Sequence, residues 1–148
     1  MRHFLFAAAM LIAAPALPAT AQEAPAGTDV ERVTLAPGES ASFTLARGFD
    51  HQLLRRAAPG AKGAITVRYT VAGGQSTITA TSGTGYATTF TVLADPDGNG
   101  GFNPAGEIAL PGDGTPAART WPGSLGTINV GDFTGGPHGD HDHKPSGE

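Results

Sequence analysis

The segment AITVRYTVAGGQSTITATSGTGYATTFTVLAD, residues 64–95, decides the fold. Ile65, Val67 and Tyr69 alternate with polar residues, and this two-residue period is typical of a half-buried β-strand. Gly73-Gly74 then supplies the positive φ angles that a tight hairpin turn needs. The segment therefore begins with a predicted β-hairpin rather than a helix.

The rest of this segment continues the alternation. The return strand carries Ser76, Ile78 and Ala80 on its inner face and Thr77, Thr79 and Thr81 on its outer face. A third strand is predicted from Tyr86 to Leu93, with Phe90 and Val92 facing inward. Three neighbouring strands of this kind predict an antiparallel meander with one threonine-rich face in water.

Toward the N-terminus, the sequence predicts two more strands and an ambiguous segment. Residues 31–46 form two alternating runs around Ala36-Pro37-Gly38-Glu39, in which proline second and glycine third indicate a type II turn. In the next segment the period of two is lost. There Asp50 is suited to cap a single helical turn carrying Leu53 and Leu54, and a bent strand is the alternative.

Toward the C-terminus, strands are predicted at EIAL and TINVGDF, on either side of a Gly/Pro-rich excursion at residues 111–126. Trp121 in that excursion is expected to cover one edge of the core. Six to seven short strands separated by turn residues predict an all-β fold, a small antiparallel Ig-like β-sandwich over residues 30–134. A small barrel is the alternative.

The N-terminus has the pattern of a secretory signal peptide. A basic start precedes an apolar run from Phe4 to Ala14, and Ala19-Thr20-Ala21 is a small-residue cleavage site. Residues 1–21 are therefore predicted to be removed, and residues 22–29 to form a flexible leader. The apolar run is too short to span a bilayer, so we expect no membrane insertion after cleavage and a periplasmic or extracellular product.

Composition excludes several classes of function. The chain has no cysteine, and Met1 and Met10 both lie in the predicted signal peptide, so the mature protein contains no sulfur. Disulfides, thiolate catalysis and Cu(I) binding through sulfur are therefore excluded. The formal net charge of −4, with scattered Lys and Arg, argues against nucleic acid and anionic lipid as partners.

The loop DPDGNGGFNPAGE, residues 95–107, is the first candidate metal site. Asp95, Asp97 and Asn99 have the spacing of the first ligands in an EF-hand calcium loop, followed by Gly100. The closing carboxylate, Glu107, comes one residue late, and strands rather than helices flank the loop. A structural β-turn collects the same residue types for reasons of local hydrogen bonding, so both interpretations remain open.

The C-terminal tail, residues 135–148, is predicted to be disordered because it contains no large apolar residue to anchor it. It is also the second candidate metal site. Five imidazole and carboxylate ligands lie close together: His138, Asp140, His141, Asp142 and His143. This ligand set suits Zn(II), Ni(II) or Cu(II), and the alternative is a solvating hydrophilic tail.

No set of catalytic residues is complete in this sequence. His51 is the only histidine of the mature chain outside the tail, and adjacency to Asp50 does not aim a carboxylate at its ring. Ser124 does not lie in a G-x-S-x-G nucleophile motif. A small hydrolase would need a nucleophile beside His51, so the sequence favours a protein that is not an enzyme.

The stretch WPGSLGTINVGDF resembles the ending of a group of uncharacterised exported proteins from Gram-negative bacteria. The similarity is carried by Trp121-Pro122, by Ile128 and Val130, and by Asp132-Phe133. It implies an extracytoplasmic β-domain and no particular activity.

These observations together predict an exported, non-catalytic β-sandwich that acts as a structural or interaction module in the periplasm. Its partner would be a periplasmic protein or an envelope component, and the threonine-rich face is the first candidate surface. The alternative function is divalent-metal binding, of calcium or zinc, through the 95–107 loop or the histidine-rich tail.

Overall fold

The computed structural model of the protein describes residues 29–47 and 52–136, and all regular secondary structure in these ranges is β-strand. The described ranges contain ten strands. They are β1 (Asp29–Val30), β2 (Arg32–Leu35), β3 (Ser40–Arg47), β4 (Gln52–Arg56), β5 (Ile65–Ala72), β6 (Gln75–Ser82), β7 (Thr88–Asp95), β8 (Asn103–Leu110), β9 (Ala117–Pro122) and β10 (Thr127–Thr134).

The strands form an antiparallel β-sandwich, as the sequence predicts. One sheet has six strands in the order β1-β4-β3-β5-β6-β9, and the other has four in the order β2-β10-β7-β8. The predicted number of six to seven strands is too low for the described chain. The three strands beyond seven are the two-residue β1, which is too short for an alternation pattern, β4 in the ambiguous segment, and β9 in the Gly/Pro-rich excursion.

The core lies between the two sheets and is built from the inward residues of both. Three phenylalanine rings connect the sheets: the ring of Phe133 lies 5.4 Å from that of Phe43 and 5.2 Å from that of Phe90. The largest fully buried side chains are Tyr69, Phe43, Phe90, Leu35, Leu54, Ile65, Ile78, Leu110, Ile128, Val67, Val92 and Val130. Burial of this apolar surface is the main stabilising contribution in a chain without disulfides.

The predicted hairpin is confirmed, but the predicted meander is wrong. β5 and β6 pair over their full length, from Ile65 opposite Ser82 to Ala72 opposite Gln75. β7, the third strand of the predicted meander, instead pairs with β8 and β10 in the other sheet. The connection at residues 83–87 therefore crosses from one sheet to the other.

The predicted turn at Ala36–Glu39 is present and also changes sheets. The amide of Glu39 donates to the Ala36 carbonyl at 3.1 Å, and Gly38 has φ +89°, as the third position of a type II turn requires. The Glu39 carboxylate accepts a hydrogen bond from the Ala36 amide at 2.8 Å. Because β2 and β3 belong to different sheets, this turn makes a corner of the sandwich.

The ambiguous segment before Pro59 is a strand, so the single helical turn is wrong there. β4 pairs with β3, with Leu54 opposite Leu45, and Leu54 is fully buried in the core. The local pattern of this segment was ambiguous, and the burial of Leu54 between the two sheets favours a strand. Asp50, the predicted helix cap, lies outside the described residues.

One side of the sandwich is closed by the chain itself. β1 pairs with β4 in the six-stranded sheet, and after Glu31 the chain continues as β2 in the four-stranded sheet. The first described strand begins at Asp29, one residue before the predicted domain start.

Between β9 and β10, residues 123–126 cross from one sheet to the other and are held by buried Ser76. The Ser76 hydroxyl donates to the Gly123 carbonyl at 2.9 Å and accepts from the Leu125 amide at 2.9 Å. The phenol oxygen of Tyr69 lies 3.4 Å from the same hydroxyl. Ser76 thus satisfies two backbone groups of the crossing segment inside the core.

Candidate functional site

The predicted 95–107 loop is shorter in the structure: a hydrogen-bonded turn at residues 96–102 joins β7 to β8, and residues 103–107 belong to β8. The two oxygens of the buried Asp95 carboxylate accept the backbone amides of Asn99 at 3.1 Å and Gly100 at 2.8 Å. The Asn99 side-chain oxygen accepts the Gly101 amide at 2.7 Å. Gly98 and Gly100 have φ of +66° and +84°, which glycine adopts without strain. The oxygens of Asp95 and Asn99 therefore hold the loop together.

Glu107 does not lie in this turn. It is exposed on β8, opposite Thr91, four residues along the strand from Asn103 and so about 13 Å from the turn. Asp97 is exposed within the turn. Within residues 29–47 and 52–136, no three His, Cys, Asp or Glu side chains are grouped so that they could hold a metal ion. Calcium binding by this loop stays a prediction.

The other predicted ligands lie outside the described residues. These are His138, Asp140, His141, Asp142 and His143 of the tail, and His51 is also outside. The zinc hypothesis for the tail and the hydrolase hypothesis for His51 therefore stay predictions.

An open cleft of about 440 Å³ lies at one end of the four-stranded sheet. Its lining contains no titratable side chain and consists of Ala87, Thr88, Thr89, Ala109, Leu110, Pro111, Thr134 and Gly135. The buried hydroxyl of Thr88 has no hydrogen-bond partner, and the Gln52 side chain donates to the Gly135 carbonyl at 2.6 Å. The cleft therefore offers threonine hydroxyls but no acid or base among its lining residues to activate them.

The outer face of the six-stranded sheet carries regular rows of polar side chains. Cross-strand pairing aligns outward side chains in three rows, which we call together the hydroxyl face. The rows are Ser42-Thr66-Thr81, Ser40-Arg68-Thr79-Ala118 and Thr70-Thr77-Thr120. All ten side chains are exposed or half-buried. The predicted threonines Thr77, Thr79 and Thr81 lie together on this face.

Hydrogen bonds link the hydroxyls across neighbouring strands. The hydroxyl oxygens of Ser42 and Thr66 are 2.8 Å apart, and those of Thr77 and Thr120 are 3.1 Å apart. Threonine has few χ1 rotamers on a strand, so these contacts fix the positions of the oxygen atoms. These contacts order four of the eight hydroxyls of the face, and each hydroxyl can both donate and accept hydrogen bonds.

Two arginines point outward from the six-stranded sheet and differ in their partners. Near the β1 edge, the Arg55 guanidinium donates two hydrogen bonds to the Asp29 carboxylate, at 2.8 and 3.0 Å. Because Arg55 stabilises the ionised form, the pKa of Asp29 is below its ordinary value and the pKa of Arg55 is above its own. Arg68, at the centre of the hydroxyl face, is exposed and forms no ion pair with any described residue.

Sequence analysis did not select Arg68, one of the polar residues that alternate with Ile65, Val67 and Tyr69. The signal was available within β5, because Arg68 is the only charged residue on a strand of alternating apolar and polar residues. Its neighbours Ser40 and Thr79 come from other strands, however, and only the strand order brings them beside it.

Comparison with known proteins does not assign the chain to a family. No protein-family model matches the chain, and no curated protein matches it in sequence. One similar solved structure is the Avr2 effector protein from the fungal plant pathogen Fusarium oxysporum, at 16% identity and a TM-score of 0.37. The alignment covers 69% of this chain and 88% of that chain. At this distance the likeness carries no inference for this chain, and the resemblance of its C-terminal stretch to exported proteins stays a prediction.

Residues 29–47 and 52–136 contain no helix long and apolar enough to cross a membrane.

Proposed function

We propose that this protein is an exported, non-catalytic interaction module that acts in the periplasm and binds an envelope component or a periplasmic protein through the hydroxyl face. The observation that carries the proposal is the strand register that places eight hydroxyls and Arg68 together on one side of the six-stranded sheet, with two pairs of hydroxyls fixed by hydrogen bonds. Ordered side chains lose little conformational freedom on binding, so such an array is suited to recognition. Export is supported by the signal-peptide pattern of residues 1–21.

The export part of the proposal has a direct test. The full chain is expressed in a Gram-negative host, and the periplasmic fraction is separated from the cytoplasm. We expect the protein in the periplasm with Gln22 as its first residue, as shown by its intact mass. Retention of residues 1–21 on a cytoplasmic product would contradict export.

The interaction part is tested by co-sedimentation of the purified mature protein with washed cell envelopes. Thr79→Glu places a charged, larger side chain at the centre of the hydroxyl face. The matched control is Thr91→Glu, because Thr91 is also half-buried and outward-facing in the middle of a strand, but on the other sheet. We expect Thr79→Glu to reduce the bound fraction severalfold and Thr91→Glu to leave it unchanged.

Thermal melts of both variants separate loss of binding from loss of folding. Equal binding by the wild type, Thr79→Glu and Thr91→Glu would show that the hydroxyl face is not the binding surface.

A further inference from the structure

The turn between β7 and β8 contains the only asparagine of the sequence that is followed by glycine, in the pair Asn99-Gly100. Such a pair is prone to deamidation, because the nitrogen of the next residue attacks the side-chain carbonyl carbon and glycine has no Cβ to obstruct it. The two other asparagines have unfavourable neighbours. Asn103 precedes Pro104, whose nitrogen carries no hydrogen, and Asn129 precedes the β-branched Val130. The sequence therefore favours this reaction at Asn99.

Deamidation of Asn99 forms one bond and breaks another. The Gly100 backbone nitrogen loses its proton to hydroxide and bonds to Cγ of Asn99. The bond from Cγ to Nδ2 breaks, and the side-chain nitrogen takes up a proton from water and leaves as ammonia. Water then opens the succinimide ring to give aspartate or isoaspartate. Because Asn99 is exposed, hydroxide and water both reach it.

In the folded turn, the Asp95 carboxylate holds the nitrogen that would attack. The Gly100 N–H donates to Oδ2 of Asp95 at 2.8 Å, and the Asn99 N–H donates to the other oxygen at 3.1 Å. Hydrogen bonds to an ionised acceptor are stronger than those between neutral groups. The carboxylate also opposes loss of the Gly100 proton, since that loss would place a second negative charge beside it. Asp95 therefore makes the Gly100 nitrogen a poor nucleophile.

The turn has to open before the ring can close. Oδ1 of Asn99 accepts the Gly101 amide at 2.7 Å, so the side chain that is attacked is also held by a hydrogen bond. Once the Gly100 nitrogen is bonded to Cγ of Asn99, it carries no hydrogen for Asp95. The reaction thus follows a local opening of the turn, which is distinct from unfolding of the whole sandwich.

The structure assigns Asn99 as a site of spontaneous covalent modification by deamidation, at a rate that the Asp95 carboxylate controls. Asp95 is a positioning residue, because it acts through the Gly100 amide and does not itself react. Each event adds a negative charge to the turn, and the isoaspartate product also lengthens the backbone by one carbon atom. The inference is independent of the proposed function, since the turn lies outside the hydroxyl face.

The test follows deamidation of the purified mature protein during incubation at neutral pH, by peptide mapping with mass spectrometry. Exchange of the amide for a carboxylate raises the mass of the peptide that contains Asn99, and a methyltransferase specific for isoaspartate measures that product. The same protein in concentrated urea gives the rate without the turn. Asn99→Ser identifies the site, because its hydroxyl can still accept the Gly101 amide but it has no amide to lose.

Two substitutions of Asp95 separate its charge from its hydrogen bonds. Asp95→Ala removes both, whereas Asp95→Asn keeps a neutral acceptor and creates no second reactive pair, because Pro96 follows. Asp132→Val is the control for stability, since it weakens the fold where β10 pairs with the first half of β7, away from the turn that follows β7. Should Asp95→Ala fail to fold, the comparison of Asp95→Asn with the wild type carries the test.

We expect the folded wild type to deamidate at least about tenfold more slowly than the protein in urea, because opening of the turn breaks two hydrogen bonds to a charged acceptor. Asp95→Ala should remove most of this protection and Asp95→Asn part of it. Asp132→Val should react as slowly as the wild type. Asn99→Ser should show no mass increase in the peptide that spans the turn.

Three outcomes would overturn the inference. Equal rates for the wild type with and without urea would mean that the turn does not protect Asn99. Equal acceleration by Asp95→Ala and Asp132→Val would mean that global unfolding, rather than opening of the turn, controls the reaction. A mass increase in Asn99→Ser equal to that of the wild type would place the modification at another residue.

Discussion

At the residue scale, Asp132 determines how the last strand completes the core. Ile128 and Val130 point inward on β10, and a continued alternation would place Asp132 inside and Phe133 outside. Asp132 instead adopts φ +52° at an irregularity in the pairing of β10 with β7, and Phe133 is buried. The irregularity inserts one residue and so reverses the alternation.

Asp132→Val is expected to destabilise the fold by about 1–3 kcal/mol, because a β-branched residue is strained at positive φ. The measurement is urea unfolding of the mature protein. Asp132→Asn is the control: asparagine also tolerates positive φ, so this variant loses only the pair of Arg32 with Asp132. That pair is exposed and contributes at most about 1 kcal/mol. Equal stability of Asp132→Val and Asp132→Asn would contradict the role of the backbone conformation.

Asp95 lies at the start of the turn between β7 and β8, and its substitution distinguishes a structural role of this turn from a role in metal binding. In the structure its carboxylate accepts hydrogen bonds from two backbone amides of the turn. Asp95→Ala should therefore lower the free energy of unfolding by about 1–3 kcal/mol in the presence of a chelator, since two part-buried hydrogen bonds to a charged acceptor are lost. Asp97→Ala, at an exposed position of the same turn, is expected to have little effect.

Addition of calcium to the wild type and to Asp97→Ala distinguishes a metal site from a purely structural turn. If calcium raises the melting temperature of the wild type and Asp97→Ala abolishes the increase, the loop is a metal site. If Asp95→Ala has no effect in chelator, the hydrogen bonds do not stabilise the turn.

At the element scale, side chains of β9, the edge strand of the six-stranded sheet, protect the neighbouring edge of the four-stranded sheet. β8 is the edge of the four-stranded sheet, and its Ala105 carbonyl accepts the indole N–H of Trp121 at 3.1 Å. Its Glu107 carbonyl accepts the Arg119 guanidinium at 2.9 Å. The Arg119 guanidinium also lies 5.0 Å from the centre of the Trp121 ring. Side chains of β9 therefore occupy carbonyls that an exposed edge would offer to another strand.

Trp121→Phe keeps an aromatic ring but removes the N–H donor. We expect a loss of about 1 kcal/mol in the free energy of unfolding, the usual net contribution of one hydrogen bond. The double variant Trp121→Phe/Arg119→Ala should also associate with itself as protein concentration rises, measured by analytical ultracentrifugation. Thr120→Ala, which lies between them and faces outward, is the control and should remain unassociated. A double variant that stays as monodisperse as this control would contradict edge protection.

Strands and turns could be predicted from the sequence where the alternation of side chains and the turn residues lie in one short segment. The β5–β6 hairpin needed only the period of two and Gly73-Gly74. The sheet to which β7 belongs could not be predicted, because Gly112, far along the chain, holds the crossing by accepting the Gly85 amide at 2.9 Å. A side chain on Gly112 would also meet the backbone of Tyr86. Such contacts depend on the assembled fold and leave no local pattern.

At the scale of the whole molecule, the candidate surface exists only because strands distant in sequence are neighbours. The threonines of β6 were predicted to face water together, and they do. The row Ser40-Arg68-Thr79-Ala118, however, joins β3, β5, β6 and β9, and the sequence did not predict that order. The sequence thus predicted the outward threonines of β6 as part of a candidate surface but did not identify Arg68 at the centre of that surface.

The ion pair that joins β1 to β4 in the six-stranded sheet is expected to make the stability of the fold depend on acid pH. Asp29 and Arg55 are directly opposite across β1 and β4, and their hydrogen-bonded ion pair holds the pKa of Asp29 below its ordinary value of 3.8. A lowered pKa in the folded state stabilises the fold above that ordinary value. The contribution is lost as pH falls through the folded-state pKa.

We therefore expect the melting temperature of the wild type to fall more steeply than that of Asp29→Asn between about pH 5 and about pH 2. Arg55→Gln should flatten the decrease to a similar extent, because the Asp29 pKa then loses the cause of its shift. The two effects should not add in the double variant, since either substitution breaks the same pair. The effect is expected to be small, because the pair is largely exposed, and to shrink further at high salt. Parallel curves for the wild type and both single variants would show that this pair does not contribute to the acid sensitivity of the fold.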